Sequence, residues 1–237
     1  MSDFKVDLSG RTALVTGGGA GGGRIIALAL AAKGTSVAVS DLNIERADNV
    51  ADSIRADGGS AIALHADVSN RFQVANMIER TRDAFGRIDI LVNAASIFHA
   101  EPLLNIDEWN WRRQMEVNIT GTFFCTQLVA RVMADEGGGS IINLASVDAC
   151  NSSLPAGIGY ITGSAGVIGM TRQAARELAL HGIRVNCIAA NRQDEPTGDI
   201  AGAALFLCSD AASSKTGQVL VDDGESSLRA WLSAASK

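Results

Sequence analysis

The residues with the clearest chemical meaning form a glycine-rich segment, Thr16 to Gly23, near the start of the chain. The segment follows an apolar run and directly precedes a stretch with helical character. Glycine lets the backbone turn sharply and approach a ligand without a Cβ in the way. The unpaired N–H groups and the dipole at the start of the following helix attract phosphates. A glycine cluster alone would equally suit a flexible turn, but its place between strand and helix predicts a dinucleotide site. The glycines expected to bind the dinucleotide are Gly17, Gly19, Gly21, Gly22 and Gly23.

A carboxylate, Asp41, ends the second apolar run of the chain. A carboxylate at this place accepts hydrogen bonds from the adenosine ribose hydroxyls and repels a 2′-phosphate. No arginine or lysine stands beside Asp41 or in the glycine turn to offset that repulsion. The pattern therefore predicts NAD rather than NADP as the cofactor. The alternative is that Asp41 caps the next helix, a role that Asn43 could also fill.

Short apolar runs alternate with longer helical segments along the chain. Most of the runs lack polar alternation, as expected of parallel strands that are buried on both faces. The predicted strands are Ala13–Thr16, Ser36–Ser40, Ala61–His65, Ile88–Val92, Ser140–Leu144, Ile183–Ile188 and Gln218–Val221. The predicted helices are Gly22–Lys33, Ile44–Asp57, Arg71–Phe85, Trp109–Met133, Tyr160–Leu180 and Ile200–Leu207. Glycines that would stop helices follow four of them, at Gly34, Gly58-Gly59, Gly86 and Gly182. This order predicts one α/β domain over residues 1–237 with a parallel sheet.

The composition narrows the function classes. The chain has 237 residues, 47% of them hydrophobic, and a net charge of −6, which argues against binding to nucleic acid or to an anionic membrane surface. The first residues contain no apolar signal core, and the longest apolar stretch, Ile25–Ala32, is too short to span a bilayer, so we expect a cytoplasmic protein. The four cysteines form no CxxC pair, and we expect reduced thiols in or near the core and no metal site.

The order of the motifs resembles the short-chain dehydrogenase/reductase family nearly from end to end. The glycine turn resembles that family's cofactor signature, and Asp67-Val68 resembles its adenine-contacting pair. Further matches are Asn93-Ala94-Ala95-Ser96, Asn118 in mid-helix, Ile141–Ser146, Ile183–Asn186 and Thr216–Val219. The resemblance implies a Rossmann-type, doubly wound parallel sheet of seven strands in the order 3-2-1-4-5-6-7. It also implies that Asp67, Val68, Asn93 and Ala94 help to bind the cofactor.

The same resemblance implies hydride transfer between a nicotinamide and the carbon of a small secondary alcohol or ketone. Tyr160, the only tyrosine of the chain, would be the general acid and base, and Ser146 would hydrogen-bond the substrate oxygen. Asn118 would hold a water or a helix distortion in a proton relay. The alternatives are a packing role for Tyr160 and, for Asn118, the pairing of backbone groups. Two long helices of the family pair between subunits, which implies a homodimer or homotetramer.

Two departures from the family pattern bear on activity. The family has a lysine four residues after its tyrosine, whereas this chain has Ser164, a neutral hydroxyl at the cofactor side of the site. The segment from Ala190 to Gly198 also leads straight toward the next helix, without the substrate-covering lid of the family. Two hypotheses follow. The first is an NAD-dependent oxidoreductase with impaired catalysis, and the second is a catalytically deficient NAD-binding homologue that acts as a sensor or assembly partner.

Overall fold

A computed structural model describes residues 6–151, 154, 156–191 and 199–222. Its strands are β1 (Thr12–Thr16), β2 (Ser36–Asp41), β3 (Ala61–His65), β4 (Ile90–Asn93), β5 (Gly139–Ser146), β6 (Ile183–Ala190) and β7 (Val219–Asp222). Its helices are α1 (Gly21–Ala31), α2 (Ile44–Ala56), α3 (Arg71–Phe85), α4 (Glu108–Met115), α5 (Thr122–Glu136), α6 (Asp148–Asn151), α7 (Ile158–Leu178) and α8 (Ile200–Cys208). A π-helical turn, Glu116–Gly121, joins α4 to α5, and short 3₁₀ turns lie at Ala179–His181 and Asp210–Ala212.

The strands form one parallel sheet in the order β3-β2-β1-β4-β5-β6-β7, which confirms the predicted fold class and strand order. Residues of β1, β2 and β4 are almost all fully buried, because helices cover both faces of the sheet. One apolar cluster packs α1, α2 and α8 against one face. A second cluster packs α3, α5 and α7 against the other. The strand order reverses between β1 and β4, and this is where open α/β sheets bind ligands.

The predicted elements are confirmed within a few residues, with one main exception. The expected single helix Trp109–Met133 is divided into α4, the π-helical turn and α5. Directly after the turn, the hydroxyl of Thr122 in α5 donates to the carbonyl oxygen of Asn118 at 2.9 Å, so this backbone acceptor is partly satisfied by a side chain. Single π turns inside α-helices often occur at functional sites. The short helix α6, directly after β5, was not predicted.

Local capping fixes where several helices begin. The side chain of Asn43 accepts a hydrogen bond from the backbone N–H of Arg46, so Asn43 is the N-cap of α2 and Asp41 is not needed there. Of the glycines predicted to stop helices, Gly34, Gly58, Gly86 and Gly182 have left-handed φ values and Gly59 does not. Three of the cysteines are buried as expected, and burial raises the pKa of Cys125 to about 12, but Cys150 is exposed rather than near the core.

Two earlier expectations fall partly outside the described residues. The direct connection from Ala190 to Gly198, where a lid was expected to be missing, lies outside them from residue 192 to residue 198. The domain boundary at residue 237 lies outside them as well. Among the residues that are described, no helix is both long and apolar enough to cross a bilayer.

Candidate active site

A cleft of about 630 Å³ opens at the carboxyl edge of the sheet, where β1 and β4 diverge. We call it the switch-point cleft. It is lined by residues from the ends of four strands and from the helices that follow them. Six residues predicted to bind cofactor line it: Gly17, Gly21, Asp41, Asp67, Val68 and Ala94. The cleft thus brings together predicted residues as far apart in the sequence as Gly17 and Ala94.

The glycine turn closes one end of this cleft. Gly17 has a φ of +60°, and a Cβ there would lie 2.6 Å from the backbone Cα of Ala95. The N–H of Gly18 donates to the carbonyl oxygen of Ser40, which ties the turn to the end of β2. A Cβ on Gly23 would lie 2.3 Å from the carbonyl oxygen of Gly17, so α1 begins in direct contact with the turn. Only glycine fits at Gly17 and Gly23 without moving the backbone.

Two other predicted glycines have different surroundings. A Cβ on Gly22 would lie 3.0 Å from the side chain of Ile200, so Gly22 lets α1 pack closely against α8. The N–H of Gly19 donates to the Oδ2 atom of Asp41 at 3.0 Å. Gly19, Gly22 and Gly23 are not among the cleft-lining residues. They shape the turn, whereas Gly17 and Gly21 face the cleft.

Asp41 ends β2 with its carboxylate held in place. In addition to the bond from Gly19, its Oδ1 atom accepts from the N–H of Asn43 at 2.9 Å. The expectation that no cation stands beside Asp41 is wrong in three dimensions. Arg46, in the first turn of α2, lines the same cleft, and a Cβ on Gly19 would lie 2.6 Å from the Arg46 Cβ. Among the described residues, no hydrogen bond or ion pair engages the Arg46 guanidinium.

The far wall of the cleft is built on Asp67 and Val68, after β3. The guanidinium of Arg113 in α4 donates to Asp67 Oδ2 and to Ser69 Oγ, both at 2.8 Å. Burial alone would raise the pKa of Asp67, but hydrogen bonds from Ser69 and Arg113 outweigh it and hold that pKa below its ordinary value. Val68 packs against the π-helical turn, because a Cβ on Gly121 would lie 2.6 Å from its Cγ2. Asp67 and Val68 are therefore fixed by α4 and by the turn after it.

Asn93 lies at the end of β4, but its side chain turns away from the cleft. Its Nδ2 atom donates to Thr126 Oγ1 at 3.1 Å and to Asn143 Oδ1 at 2.8 Å, in the buried layer beneath the sheet edge. Thr16 instead accepts from the N–H groups of Ala94 and Ala95, at 3.2 and 3.4 Å, and so joins the ends of β1 and β4. Any contact of Asn93 with a bound ligand would involve its backbone.

Asn118 lies in the middle of the π-helical turn. Its Oδ1 accepts from the N–H of Ile97 at 2.8 Å, and its Nδ2 donates to the carbonyl oxygen of Ile97 at 2.9 Å. The π-helical turn is the helix distortion predicted at Asn118. The two bonds to Ile97 show that Asn118 also satisfies backbone groups, which was the alternative role. A Cβ on Gly163 of α7 would lie 3.1 Å from the Asn118 Cβ, so glycine lets α7 approach the turn closely.

A second, much smaller cavity, of about 10 Å³, lies beside the first, and we call it the Tyr160 cavity. The volume is about that of one water molecule. Tyr160, Ser164 and Asn118 line it, and it shares Ala95 and Ser96 with the switch-point cleft. The Tyr160 ring is 5% exposed and packs edge-on against Phe98, with the ring centroids 5.2 Å apart. No lysine or arginine is among the described residues that line this cavity.

Ser146 ends β5 at the edge of this cavity. Its backbone N–H donates to Ser164 Oγ at 3.3 Å, which joins β5 to α7. Its hydroxyl donates to Asp148 Oδ2 at 2.8 Å, and its oxygen accepts from the N–H of Asp148 at 3.1 Å. Ser146, Ser164 and Asp148 are all buried. The structure thus places all three predicted catalytic residues, Tyr160, Ser146 and Asn118, around or beside one cavity.

The sequence interpretation missed three charged residues at the site: Arg46, Arg113 and Asp148. Arg46 is five positions after Asp41, in the first turn of α2, so helical geometry could have placed it near the glycine turn. Asp148 is two positions after Ser146 and carried no signal, since α6 was not predicted. No sequence signal marked Arg113 either, because it is 46 positions from Asp67, its partner in the structure.

The chain matches the short chain dehydrogenase family over residues 11–194. It therefore belongs to the short-chain dehydrogenases. These are oxidoreductases, and the family typically binds a nicotinamide cofactor of the NAD(P) type.

Several relatives resemble the chain over nearly its whole length. It is 37% identical to the (2S)-[(R)-hydroxy(phenyl)methyl]succinyl-CoA dehydrogenase subunit of Thauera aromatica, covering 93% of this chain and 98% of that one. It is 35% identical to the D-threitol dehydrogenase of Mycolicibacterium smegmatis, covering 94% and 95%. A solved short-chain type dehydrogenase/reductase from Mycobacterium marinum is 34% identical, with a TM-score of 0.88 over 93% of this chain and 96% of the other. The fold and the oxidoreductase class therefore agree.

Proposed function

We propose that the protein is an NAD(H)-dependent oxidoreductase that interconverts a small secondary alcohol and its ketone. The observation that supports this most directly is the placement of Asp41. Its carboxylate lies in the switch-point cleft, fixed by the N–H groups of Gly19 and Asn43, where it can accept hydrogen bonds from a ribose. The bound nicotinamide would supply the hydride acceptor or donor.

The residues of the cleft fit a dinucleotide. A Cβ on Gly17 would collide with backbone, so the turn provides a concave, side-chain-free surface beside the start of α1. We assign the pyrophosphate to Gly17 and Gly21, the adenosine ribose to Asp41, and the adenine to Asp67 and Val68. Ala94 and the backbone of Asn93 would lie against the nicotinamide half. The other glycines, Gly19, Gly22 and Gly23, hold the turn in shape.

The choice of NAD over NADP depends on the balance between Asp41 and Arg46. Asp41 disfavours a 2′-phosphate by charge repulsion, whereas Arg46 at the same cleft offers a cation. We propose that Asp41 dominates, because two backbone N–H groups fix its carboxylate whereas Arg46 is on the exposed start of α2. Titration calorimetry with NADH and NADPH tests this. We expect tighter binding of NADH, and equal or tighter binding of NADPH would assign the specificity to Arg46.

In the catalytic step, we propose that Tyr160 exchanges a proton with the substrate oxygen and that Ser146 holds that oxygen. Asn118 fixes the loop after β4 and the π-helical turn, and so sets the width of the Tyr160 cavity. Ser164, which the resemblance placed at the cofactor, is a neutral residue that lines the Tyr160 cavity and not the switch-point cleft. A free tyrosine has a pKa of about 10, and Ser164 supplies no positive charge to stabilise a tyrosinate. We therefore expect slow turnover with ordinary cofactor affinity.

We further propose that the protein forms a homodimer or homotetramer through α5 and α7. A groove of about 720 Å³ runs between these helices, and it contains small and apolar residues such as Ala130, Ala134, Ala174 and Leu178. Phe123, at its edge, is 42% exposed. Light scattering coupled to size exclusion would test this. A monomer at micromolar concentration would contradict it, and Ala134→Glu should dissociate the assembly.

The proposed function is tested by measuring cofactor binding and turnover separately. Calorimetric titration of the purified protein with NADH should show saturable binding. An assay at 340 nm against a panel of secondary alcohols and ketones should show slow but measurable change in NADH. Absence of NADH binding would contradict the proposal as a whole. Binding with no turnover, unchanged in Ser164→Lys, would instead support the catalytically deficient homologue.

A further inference from the structure

The adenosine end of the switch-point cleft contains a histidine, His65, to which the function proposed above gives no role. His65 ends β3 and is exposed, and it lines the cleft together with Asp41 and Arg46. Within the part of the chain that the structure describes, neither the His65 ring nor the Arg46 guanidinium has a hydrogen bond or an ion pair. Two groups that can carry positive charge are therefore available to a ligand at this end of the cleft.

The strand register places His65 beside Asp41. The two residues are direct partners in the parallel pairing of β2 with β3, and neighbouring strands lie about 5 Å apart. Side chains alternate between the faces of a strand, and Val39 and Ala63, two positions before these partners, both pack in the apolar cluster of α1, α2 and α8. Asp41 and His65 are therefore on the face of the sheet that α2 covers, and Arg46 is in the first turn of α2.

The balance of charge in the cleft depends on whether His65 is protonated. The residues of the cleft lining that can carry charge are Asp41, Glu45, Arg46, His65, Asp67 and Arg113. Asp67 and Arg113 form an ion pair at 2.8 Å and so compensate each other. With His65 neutral, the two other carboxylates outnumber Arg46, and a further anion such as a 2′-phosphate is repelled. Histidine ordinarily gains its charge between about pH 8 and pH 5, and a charged His65 would restore the balance.

We propose that His65 and Arg46 form a subsite for the 2′-phosphate of NADP, and that this subsite is complete only when His65 is protonated. At alkaline pH one of its two cations is missing, Asp41 repels the phosphate, and the cleft selects NAD. At acid pH two cations, from β3 and from α2, attract the phosphate, and the cleft accepts NADP as well. The subsite rests on the proposed function, because it requires the adenosine ribose to lie at Asp41.

The 2′-phosphate itself takes up a proton in the same pH range, because the second pKa of a phosphate monoester is about 6. That proton weakens both the repulsion from Asp41 and the attraction to Arg46, so the pH dependence of NADP binding does not by itself identify His65. A variant that removes only the charge of His65 does identify it. His65 and Arg46 are exposed, so their substitution should leave the core intact.

Calorimetric titrations with NAD⁺ and NADP⁺ test the subsite through the ratio of the NADP⁺ Kd to the NAD⁺ Kd. At about pH 5.5 this ratio should be about fivefold higher in His65→Gln than in the wild type, the effect of one solvent-screened charge at about 4 Å. At about pH 8.5, where the histidine is neutral, the two proteins should give the same ratio. Equal ratios at both pH values would overturn the proposal.

Two further variants separate charge from a merely structural role. His65→Lys keeps a cation at both pH values and should lower the ratio at about pH 8.5 by about fivefold. Arg46→Gln should raise the ratio at both pH values, because it removes the permanent cation of the subsite. If His65→Gln weakens NAD⁺ and NADP⁺ binding equally, His65 acts through structure, and the proposal is overturned.

The controls are His99→Gln and Arg80→Gln. His99 pairs with Glu101, Arg80 is exposed on α3, and neither residue lines the switch-point cleft. Both controls should keep the wild-type ratio at each pH, and a change like that in His65→Gln would count against the subsite. If NAD⁺ fails to bind to the wild type at either pH, the proposed function itself fails. If NAD⁺ binds and the ratio does not depend on His65, only the subsite fails.

Discussion

The switch-point cleft and the Tyr160 cavity are adjacent and share Ala95 and Ser96, but they are built differently. The cleft is defined by backbone groups and by charged side chains that are held in place, as where Gly19 donates to Asp41. The Tyr160 cavity is lined by neutral side chains, with the carboxylate of Asp148 bonded to the neighbouring Ser146. Cofactor affinity and catalytic rate should therefore depend on different residues, and mutations should separate the two.

The largest effect is expected from Tyr160→Phe. The substitution removes the proton-transferring hydroxyl and keeps the ring that packs on Phe98. We expect kcat to fall by about 10²- to 10⁴-fold, the range of general acid–base catalysis, with NADH affinity unchanged. Turnover at 340 nm and calorimetric titration measure the two quantities. A loss of kcat below about threefold would instead favour the packing role of Tyr160.

Ser164→Lys should have the next largest effect, in the opposite direction. A cation one helical turn from Tyr160 would favour its ionised form, and an opposite charge at such a distance lowers a pKa by about 1–3 units. We expect kcat to rise by about tenfold or more, and its pH profile to shift to lower pH. Ser164→Met is the matched control, since it adds similar length without charge. A gain in both variants would show that size, not charge, limits turnover.

Asp41→Ala tests the switch-point cleft, where we propose that the cofactor binds. It removes the carboxylate proposed to accept from the ribose, and we expect the Kd for NADH to rise about tenfold while kcat changes little. The preference for NADH over NADPH should also shrink, because Arg46 would then act without an opposing charge. Asp57→Ala, at the exposed end of α2, serves as the control. An unchanged Kd would show that Asp41 only supports the glycine turn.

The smallest effect is expected from Arg113→Leu, at the far wall of the cleft. The folded-state pKa of Asp67 is below its ordinary value, so the pair stabilises the protein above that value and loses its effect as pH falls through the lowered folded-state pKa. We expect a loss of about 1 kcal/mol in the free energy of unfolding at pH 7.

Urea unfolding at pH 7 and at about pH 3 measures this difference, which should shrink at the lower pH. The control is Arg112→Leu on the same helix, whose pair with Glu108 is 69% and 75% exposed and should contribute little. A loss that is the same at both pH values would mean that Arg113 acts through packing rather than through Asp67.

The sequence was sufficient for the fold and for the outline of the cofactor side. Buried parallel strands appear as short apolar runs, and glycines mark both the turn after β1 and the ends of helices, so periodicity and local residue type predict these elements. The strand order came from the resemblance of the motifs to a known family, and the structure has the same order. Gly17, Gly21 and Asp41 were predicted because the glycine turn joins β1 to α1 and Asp41 ends β2.

Only the tertiary structure decided which side chains meet around those elements. Arg113 joins Asp67 across 46 positions, and Asn118 clamps Ile97 across 21. Such pairs depend on how α4 and the π-helical turn pack against the sheet, and a sequence read by local periodicity shows one continuous helix there. The contact of Asp148 with Ser146 is local, but it depends on the turn into α6, which carries no periodic signal. The sequence determined which positions carry the cofactor-site glycines and Asp41. The packing of the chain determined which side chains contact one another around them.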